Sequence, residues 1–414
     1  MHTHARKIVQ GFVHKQLSLI HAARRELLCA AVSAVMGGHL LSLSRLARAL
    51  MGESTQRAAL KRVDRLIGNK RIGGEAQVVG AALLRVLCRG GQPLVIAVDW
   101  SAVAPGGAFV ELRAALTWLG MGRGLTIYQQ VYPEAKLGNG RAERTLLDTL
   151  HGWMPAGAQV IIVTDAGFRR PWFTHLERLG WSWIGRIRAG VCVSRDNTHW
   201  EKATAWFGKA TGKACRWNPC WLTRRYRFAC DMVLVRHRVL GGKRYGRAGH
   251  GSTPKARREA QTSAKEPWLL AHSPRLRLYR AEQIVAMYAR RMQIEENFRD
   301  SKSADLGMGL QVSQSRSALR LHALLLIGTL AAFLLWHIGQ LAEAEGWHRR
   351  FKATTRIARE LSIITLAKLL CALPRLPLTA TAIHALDERL GLQTWKTGET
   401  SERTLPRPFF SAAS

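Results

Sequence analysis

The amino-acid sequence predicts an α/β fold, a mixed sheet flanked by helices and bounded by helical regions at both ends of the chain. Two short, uninterrupted apolar runs, LVIAVDW and QVIIVT, have the β-branched texture of buried central strands, and they lead into Asp99 and Asp165. Around them the order reads as three strands, a helix and a strand, an alternation typical of α/β sheets. Residues 1–88 and those after Gly346 instead carry helical spacing.

Within residues 1–88, Leu43, Leu46, Ala47 and Leu50 fall on one helical stripe, Gly52 breaks it, and a second helix starts at Ser54. That second helix places Leu60, Val63, Leu66 and Ile67 on one face and turns Lys61, Arg62 and Arg65 toward the others, with Lys70 extending its basic end. A helix pair around a glycine-containing turn, with a basic second member, suits DNA docking, and an ordinary solvated pair would show the same spacing. At Gly90 and Gly91 the texture changes. LVIAVDW, ending in Asp99, then FVELRAALTW after Gly106 and Gly107, then LTIYQQVY after the break at Gly120 to Gly124, read as three successive strands. Arg141 to Leu150 has helical spacing, and QVIIVT follows Pro155 and Gly157.

From Gly180 to about Lys265 periodicity weakens, and SWIGRI, WLTRRYRF and DMVLVRHRVL suggest a small β-rich insertion. The Gly-rich basic stretch Gly241 to Glu266 reads as a loop able to order on a phosphate backbone. WLLAHS, from Trp268, is the next strand, and AEQIVAMYARRMQIEENFRDSKS predicts one long helix without Gly or Pro.

Lys and Arg number 62 against 28 Asp and Glu, a formal charge of +34 that calls for a polyanionic partner. With 47% hydrophobic residues the chain is not a disordered basic tail. The seven cysteines are scattered and odd in number, so no disulfide framework is expected, and Cys215 and Cys220 lack a second ligand pair for zinc. The N-terminus shows no export signal, and a reducing cytoplasm fits. Leu321 to Ile338 is nearly continuous apolar sequence. Its strictly apolar part, Ala323 to Trp336, is 14 residues long, short of the roughly 20 that span a bilayer, so we expect a core helix and no membrane.

Strand ends in α/β sheets are where sites are built. Two carboxylates at adjacent strand ends repel and are costly to desolvate, so Asp99 and Asp165 suggest a divalent cation between them. The long helix adds a third acid. At about 100° per residue, Tyr288, Arg291, Glu295 and Lys302 share a stripe about 60° wide, while Glu296 points elsewhere. One phenol, two cations and one carboxylate make poor core material and suit a site that binds metal and phosphate.

At these residues the sequence resembles a known family. Asp99, Asp165 and Glu295, with Tyr288, two residues, Arg291, three residues, Glu295, six residues and Lys302, are similar to the signature of the DDE transposases of bacterial insertion sequences, in the group named for its Y-R-E-K motif. The resemblance runs from LKRVDRLIGNKRI through VIAVDWS and VTDAGFRRPWF to YARRMQIEENFRDSKS. It implies a ribonuclease H-like catalytic core, similar to that of retroviral integrase, over residues 89–345 and interrupted by a β-rich insertion at about 180–266. Residues 1–88 would form a helical DNA-end-binding domain, and residues 346–414 a helical C-terminal region available for dimerisation.

The resemblance also implies roles. Asp99, Asp165 and Glu295 would coordinate two Mg²⁺ ions, with Mn²⁺ as a substitute, for in-line attack on a phosphodiester. Tyr288, Arg291 and Lys302 would grip phosphates of the element end. Trp268 lies where relatives carry an aromatic that stacks on a displaced base. The expected activity is cut-and-paste transposition: binding of terminal inverted repeats, cleavage at the element ends and joining of the 3′ ends to target DNA. Double-stranded DNA is the expected partner of a homodimer in the bacterial cytoplasm, associated with the nucleoid. Two other readings use the same residues: a repressor or other DNA-binding protein that leaves the acids idle, and a metal-dependent nuclease without strand transfer.

Overall fold

A computed structural model describes residues 3–88, 92–103, 107–236, 266–305, 307–355, 359–373 and 375–392. Gly90, Gly91, Gly106, residues 241–265 of the basic stretch and the chain beyond 392 lie outside the described residues.

Helices α1 (Thr3–Gln16), α2 (Ala22–Met36), α3 (Leu43–Ala49), α4 (Gln56–Ile67) and α5 (Ile72–Leu87) open the chain. The hydroxyls of Ser42 and Thr55 accept the backbone N–H groups of Arg45 and Ala58, which satisfies otherwise orphaned donors and starts α3 and α4. Gly52, between them, takes φ +51, open to glycine without a Cβ clash. Val63, Leu66 and Ile67 of α4 are buried, whereas Lys61, Arg62 and Arg65, and Lys70 beyond the helix, are exposed.

The sheet begins with an antiparallel meander of β1 (Leu94–Ala102), β2 (Phe109–Thr117) and β3 (Leu125–Pro133). After α6 (Gly140–Trp153), β4 (Val160–Thr164) returns parallel to β1, and after α7 (Arg170–Arg178), β5 (Ser182–Arg186) lies parallel to β4. This is the expected mixed sheet of a ribonuclease H-like core. Two details differ from expectation. The first strand runs past Asp99, because pairing with β2 continues as far as Ala102 opposite Val110. SWIGR, expected in the insertion, is a parallel core strand, because its register with β4 pairs Ile161 with Ser182 through Thr164 with Gly185.

The insertion extends the same sheet. It supplies β6 (Cys192–Ser194), β7 (Glu201–Lys202), the short α8 (Thr204–Phe207), β8 (Cys215–Leu222) and β9 (Phe228–Val235), and β10 (Trp268–His272) joins β9 to β5. The strand order is β3-β2-β1-β4-β5-β10-β9-β8-β6-β7. Next come α9 (Ala281–Ala289), α10 (Met292–Lys302), α11 (Ala318–Ala344), α12 (Ile363–Cys371) and α13 (Ala380–Arg389).

Strand alternation divides the layers. Ile96, Val98 and Ile162 pack with Leu146, Leu150, Trp172 and Leu176 of α6 and α7. On the other face, Val95, Ile161 and Val163 pack under Ile284 and Met287 of α9. Ala97 and Ala115 lie against Ile294 and Phe298 of α10.

The apolar segment at Leu321 to Ile338 lies in α11, and 72% of its most apolar window is buried inside the fold. Leu324, Ile327, Ala331 and Leu334 share one core with Phe12, Val32, Val63 and Leu83 from α1, α2, α4 and α5, and with Leu366 and Leu386 from α12 and α13. The expected core helix is what is found. Each such Leu, Ile, Val or Phe side chain contributes about 1.5–3 kcal/mol when fully buried, so α11 is a central post for both terminal helical regions.

This post contains His322, 3% exposed, with neither ring nitrogen partnered among the described residues. Burial lowers its pKa from 6.5 to about 4. Folded protein therefore binds fewer protons here than unfolded chain. Stability from this group is complete above about pH 6.5 and is lost as pH falls toward 4, on the order of 3 kcal/mol. Thermal melts across that range should show the acid loss, and His322→Leu should flatten it; an unchanged pH profile in the variant would remove His322 as its source.

Candidate active site

Strand register sets two of the acids side by side. β1 and β4 pair in parallel, with Val98 beside Thr164, so the next positions along are Asp99 and Asp165, on chains ~4.8 Å apart. Counting by twos from Val95 and Ala97 puts Asp99 on the face covered by α9 and α10, and Ile161 and Val163 do the same for Asp165. The small side chains Ala97 and Ala115 let Ile294 and Phe298 settle directly on the strands, which brings Glu295 to the same end of the sheet.

Arg291 ties two of the acids together. Its Nη1 donates to Asp99 Oδ2 at 3.2 Å and its Nη2 to Glu295 Oε1 at 2.5 Å. Burial, followed by the charge of Asp165, pushes the Asp99 pKa up to about 7; Arg291 pulls it down and Glu295 pushes it further up. Burial opposes the charge on Arg291, but Glu295, Tyr288, Asp99 and Asp165 outweigh it and raise its pKa, so the guanidinium stays charged. As they stand, no three His, Cys, Asp or Glu side chains among the described residues are grouped closely enough to hold a metal ion. The donor chemistry nevertheless fits one. Two carboxylates already aim at a single shared cation and a third lies within electrostatic reach, an all-oxygen set of the kind hard divalent ions take.

The other predicted helix residues divide. The expected single helix is two, α9 and α10, separated at Arg290 and Arg291, where tight bonds from Arg290 N to Met287 O and from Arg291 N to Tyr288 O replace regular α spacing. The i→i+3 turn eclipses Tyr288 with Arg291, so the phenol stays beside the guanidinium although its ring is buried. That ring is 3% exposed, packed edge-on against Trp268 with centroids 4.8 Å apart, and burial raises its pKa while the adjacent Arg291 lowers it. Tyr288 thus lies between Trp268, against its ring, and Arg291, beside its hydroxyl. Lys302 does reach the strand: its Nζ donates to Ser101 Oγ at 2.6 Å and lies 5.1 Å from the centre of the Phe298 ring. Burial lowers its pKa, and Glu111 partly offsets this. Lys61, Arg62, Arg65 and Lys70 are exposed on the helical region rather than gathered at the acids.

Residues 118–334, just over half of the chain, match the family model of the transposase DDE domain. The chain belongs to the DDE transposase family. No curated protein matches it. Asp165 and Glu295 lie inside the matched segment, and Asp99 precedes it.

The transposase also holds neighbours that spacing alone did not single out. Ser101 follows Asp99 on the same face of β1. Opposite, on β2, the fully buried Glu111 and Arg113 are paired at 2.9 Å, and Arg113 donates to Ser301 of α10 at 3.2 Å. Glu143 accepts from the Trp100 indole at 3.2 Å; burial raises its pKa, and the nearby Asp165 adds to the rise. The alternation of FVELRAALT puts Glu111 and Arg113 on one strand face, and that signal was readable; Glu143 on α6 left none.

Asp165 is held by its own loop. Its Oδ1 accepts the Gly167 N–H at 2.7 Å, and a Cβ at Gly167 would sit 2.9 Å from that oxygen. Gly167→Ala should therefore displace the carboxylate and lower cleavage by roughly tenfold, a change of about 1.4 kcal/mol in barrier, with little loss of melting temperature. Parent-level cleavage in this variant would show that the Asp165 position tolerates the shift.

Proposed function

We propose that this DDE transposase is an insertion-sequence transposase of the Y-R-E-K group, acting on double-stranded DNA as a homodimer. In this reading it binds terminal inverted repeats, cleaves at the element ends with Mg²⁺ or Mn²⁺, and joins the 3′ ends to target DNA. The observation that supports the reading is Arg291 bonded to both Asp99 and Glu295 at one end of the sheet, with Asp165 within electrostatic reach of Asp99. Asp99, Asp165 and Glu295 would hold the divalent ions, which when bound activate a water or 3′-hydroxyl and neutralise the leaving oxygen. Arg291 and Lys302, the latter beside Ser101, offer cations to the phosphates flanking the scissile bond. Tyr288 positions Arg291, and Trp268, packed against the Tyr288 ring, would stack on a displaced base. The exposed Lys61, Arg62, Arg65 and Lys70 give residues 1–88 a basic face for the DNA end, and residues 346–414 are proposed for dimerisation.

One assay separates this from the two rival readings. An end-bearing duplex, Mg²⁺ and a supercoiled plasmid are incubated with the protein, and plasmid-joined 3′ ends are scored. Joined product supports the transposase reading. Cleavage without joining indicates the nuclease, and binding with neither indicates the repressor.

A further inference from the structure

The hairpin between β8 and β9 carries a group that the acid cluster does not use. Arg224, Arg225, Tyr226 and Arg227 are all exposed at its tip. The Tyr226 ring lies beside two guanidiniums, with Arg170 3.9 Å and Arg225 5.4 Å from its centre. Arg170 begins α7, five residues after Asp165. The ring contact therefore docks the hairpin on the segment that leads away from a proposed catalytic acid. Arg169 belongs to the same neighbourhood, since both it and Asp165 act electrostatically on Glu143.

Among the described residues, none of Arg169, Arg170, Arg224, Arg225 and Arg227 takes part in an ion pair. Arg169 faces Glu143, and the other four guanidiniums, left without an ion pair, repel one another and favour a polyanion laid across them. The loop shape is fixed in advance: Tyr226 N and Arg227 N both donate to Thr223 O, at 3.1 and 2.8 Å, with Thr223 at φ 61 and Arg227 at φ 47. Left-handed backbone at a β-branched threonine is strained, a cost found where surrounding structure dictates a functional shape. With cations already against the Tyr226 ring, the ring serves as a post that orients guanidinium N–H edges toward phosphate oxygens, which they match in bidentate geometry.

We propose that Arg170, Arg224, Arg225 and Arg227, braced by Tyr226, form a clamp for the phosphate backbone of duplex DNA beside the acid cluster, gripping it without reading sequence. The proposal rests on the transposase reading, which supplies DNA as the partner.

The test is fluorescence anisotropy of the full chain with a labelled duplex of arbitrary sequence, without divalent metal, across a salt series. The triple variant Arg170→Gln/Arg224→Gln/Arg225→Gln should bind about tenfold more weakly and lower the log–log salt slope by two to three, at about 0.9 per lost phosphate contact. Arg225→Gln alone, at an exposed position, should lower it by about one. Tyr226→Leu should weaken binding roughly two- to fivefold and Tyr226→Phe should not. Parent-like affinity and slope in the arginine variants, with the parent binding duplex normally, would overturn the clamp and leave the transposase reading intact. A parent that fails to bind duplex even at low salt would overturn the transposase reading itself.

Discussion

Glu295→Gln is expected to abolish Mg²⁺-dependent nicking of an end-bearing duplex while leaving duplex affinity within about twofold. The substitution keeps the side chain's size and an oxygen that can accept from Arg291 Nη2, so α10 and its seat on Ala97 and Ala115 should persist. What it removes is one of three negative charges offered to a divalent cation. Partners that merely orient metal ligands cost about 10- to 100-fold when removed, so loss of a ligand should exceed 100-fold in cleavage. Affinity should hardly change, because the many exposed cations supply the salt-dependent term. Nicking within about threefold of the parent would remove Glu295 from the mechanism.

Arg291→Ala should move two properties in opposite directions. The guanidinium now bridges Asp99 and Glu295, where it satisfies the carboxylates that a divalent ion needs. Removing it from DNA-free protein should tighten Mn²⁺ binding by about tenfold, or about 1.4 kcal/mol, as seen by calorimetric titration. Cleavage should fall, because the phosphate loses a fixed cation. Asp99 must be ionised to bind metal, its pKa is pushed up to about 7, and the variant loses the guanidinium that pulls it down, so Mn²⁺ affinity is compared across a pH series that extends well above 7. Unchanged or weaker Mn²⁺ binding by Arg291→Ala would show that the guanidinium does not compete with metal.

How much of this was legible in the sequence follows from the range of the signals. Apolar β-branched runs expose buried strands, so LVIAVDW, FVELRAALTW, LTIYQQVY and QVIIVT are found within a few residues of β1 to β4. The strand-end acids follow from the same runs. SWIGRI was misplaced because six residues say nothing of their pairing partner, which here is β4 across α7. The helix break at Arg290 and Arg291 leaves no proline or glycine as a mark; it arises where the chain passes from packing on Ile161 and Val163 to packing on Ala97 and Ala115. Tyr288 keeps its place beside Arg291 across that break, because a tight turn eclipses residues three apart. The Arg170–Tyr226 contact joins residues 56 apart, and no local period reports such a distance.

Asp99, Asp165 and Glu295 are proposed to make one cation site on a DNA strand. Electron paramagnetic resonance of Mn²⁺ titrated into the protein–duplex complex tests it most directly. Asp99→Asn, Asp165→Asn and Glu295→Gln should each lose the same tightly bound ions seen in the parent. Full, parent-like Mn²⁺ binding in any one of the three would contradict it.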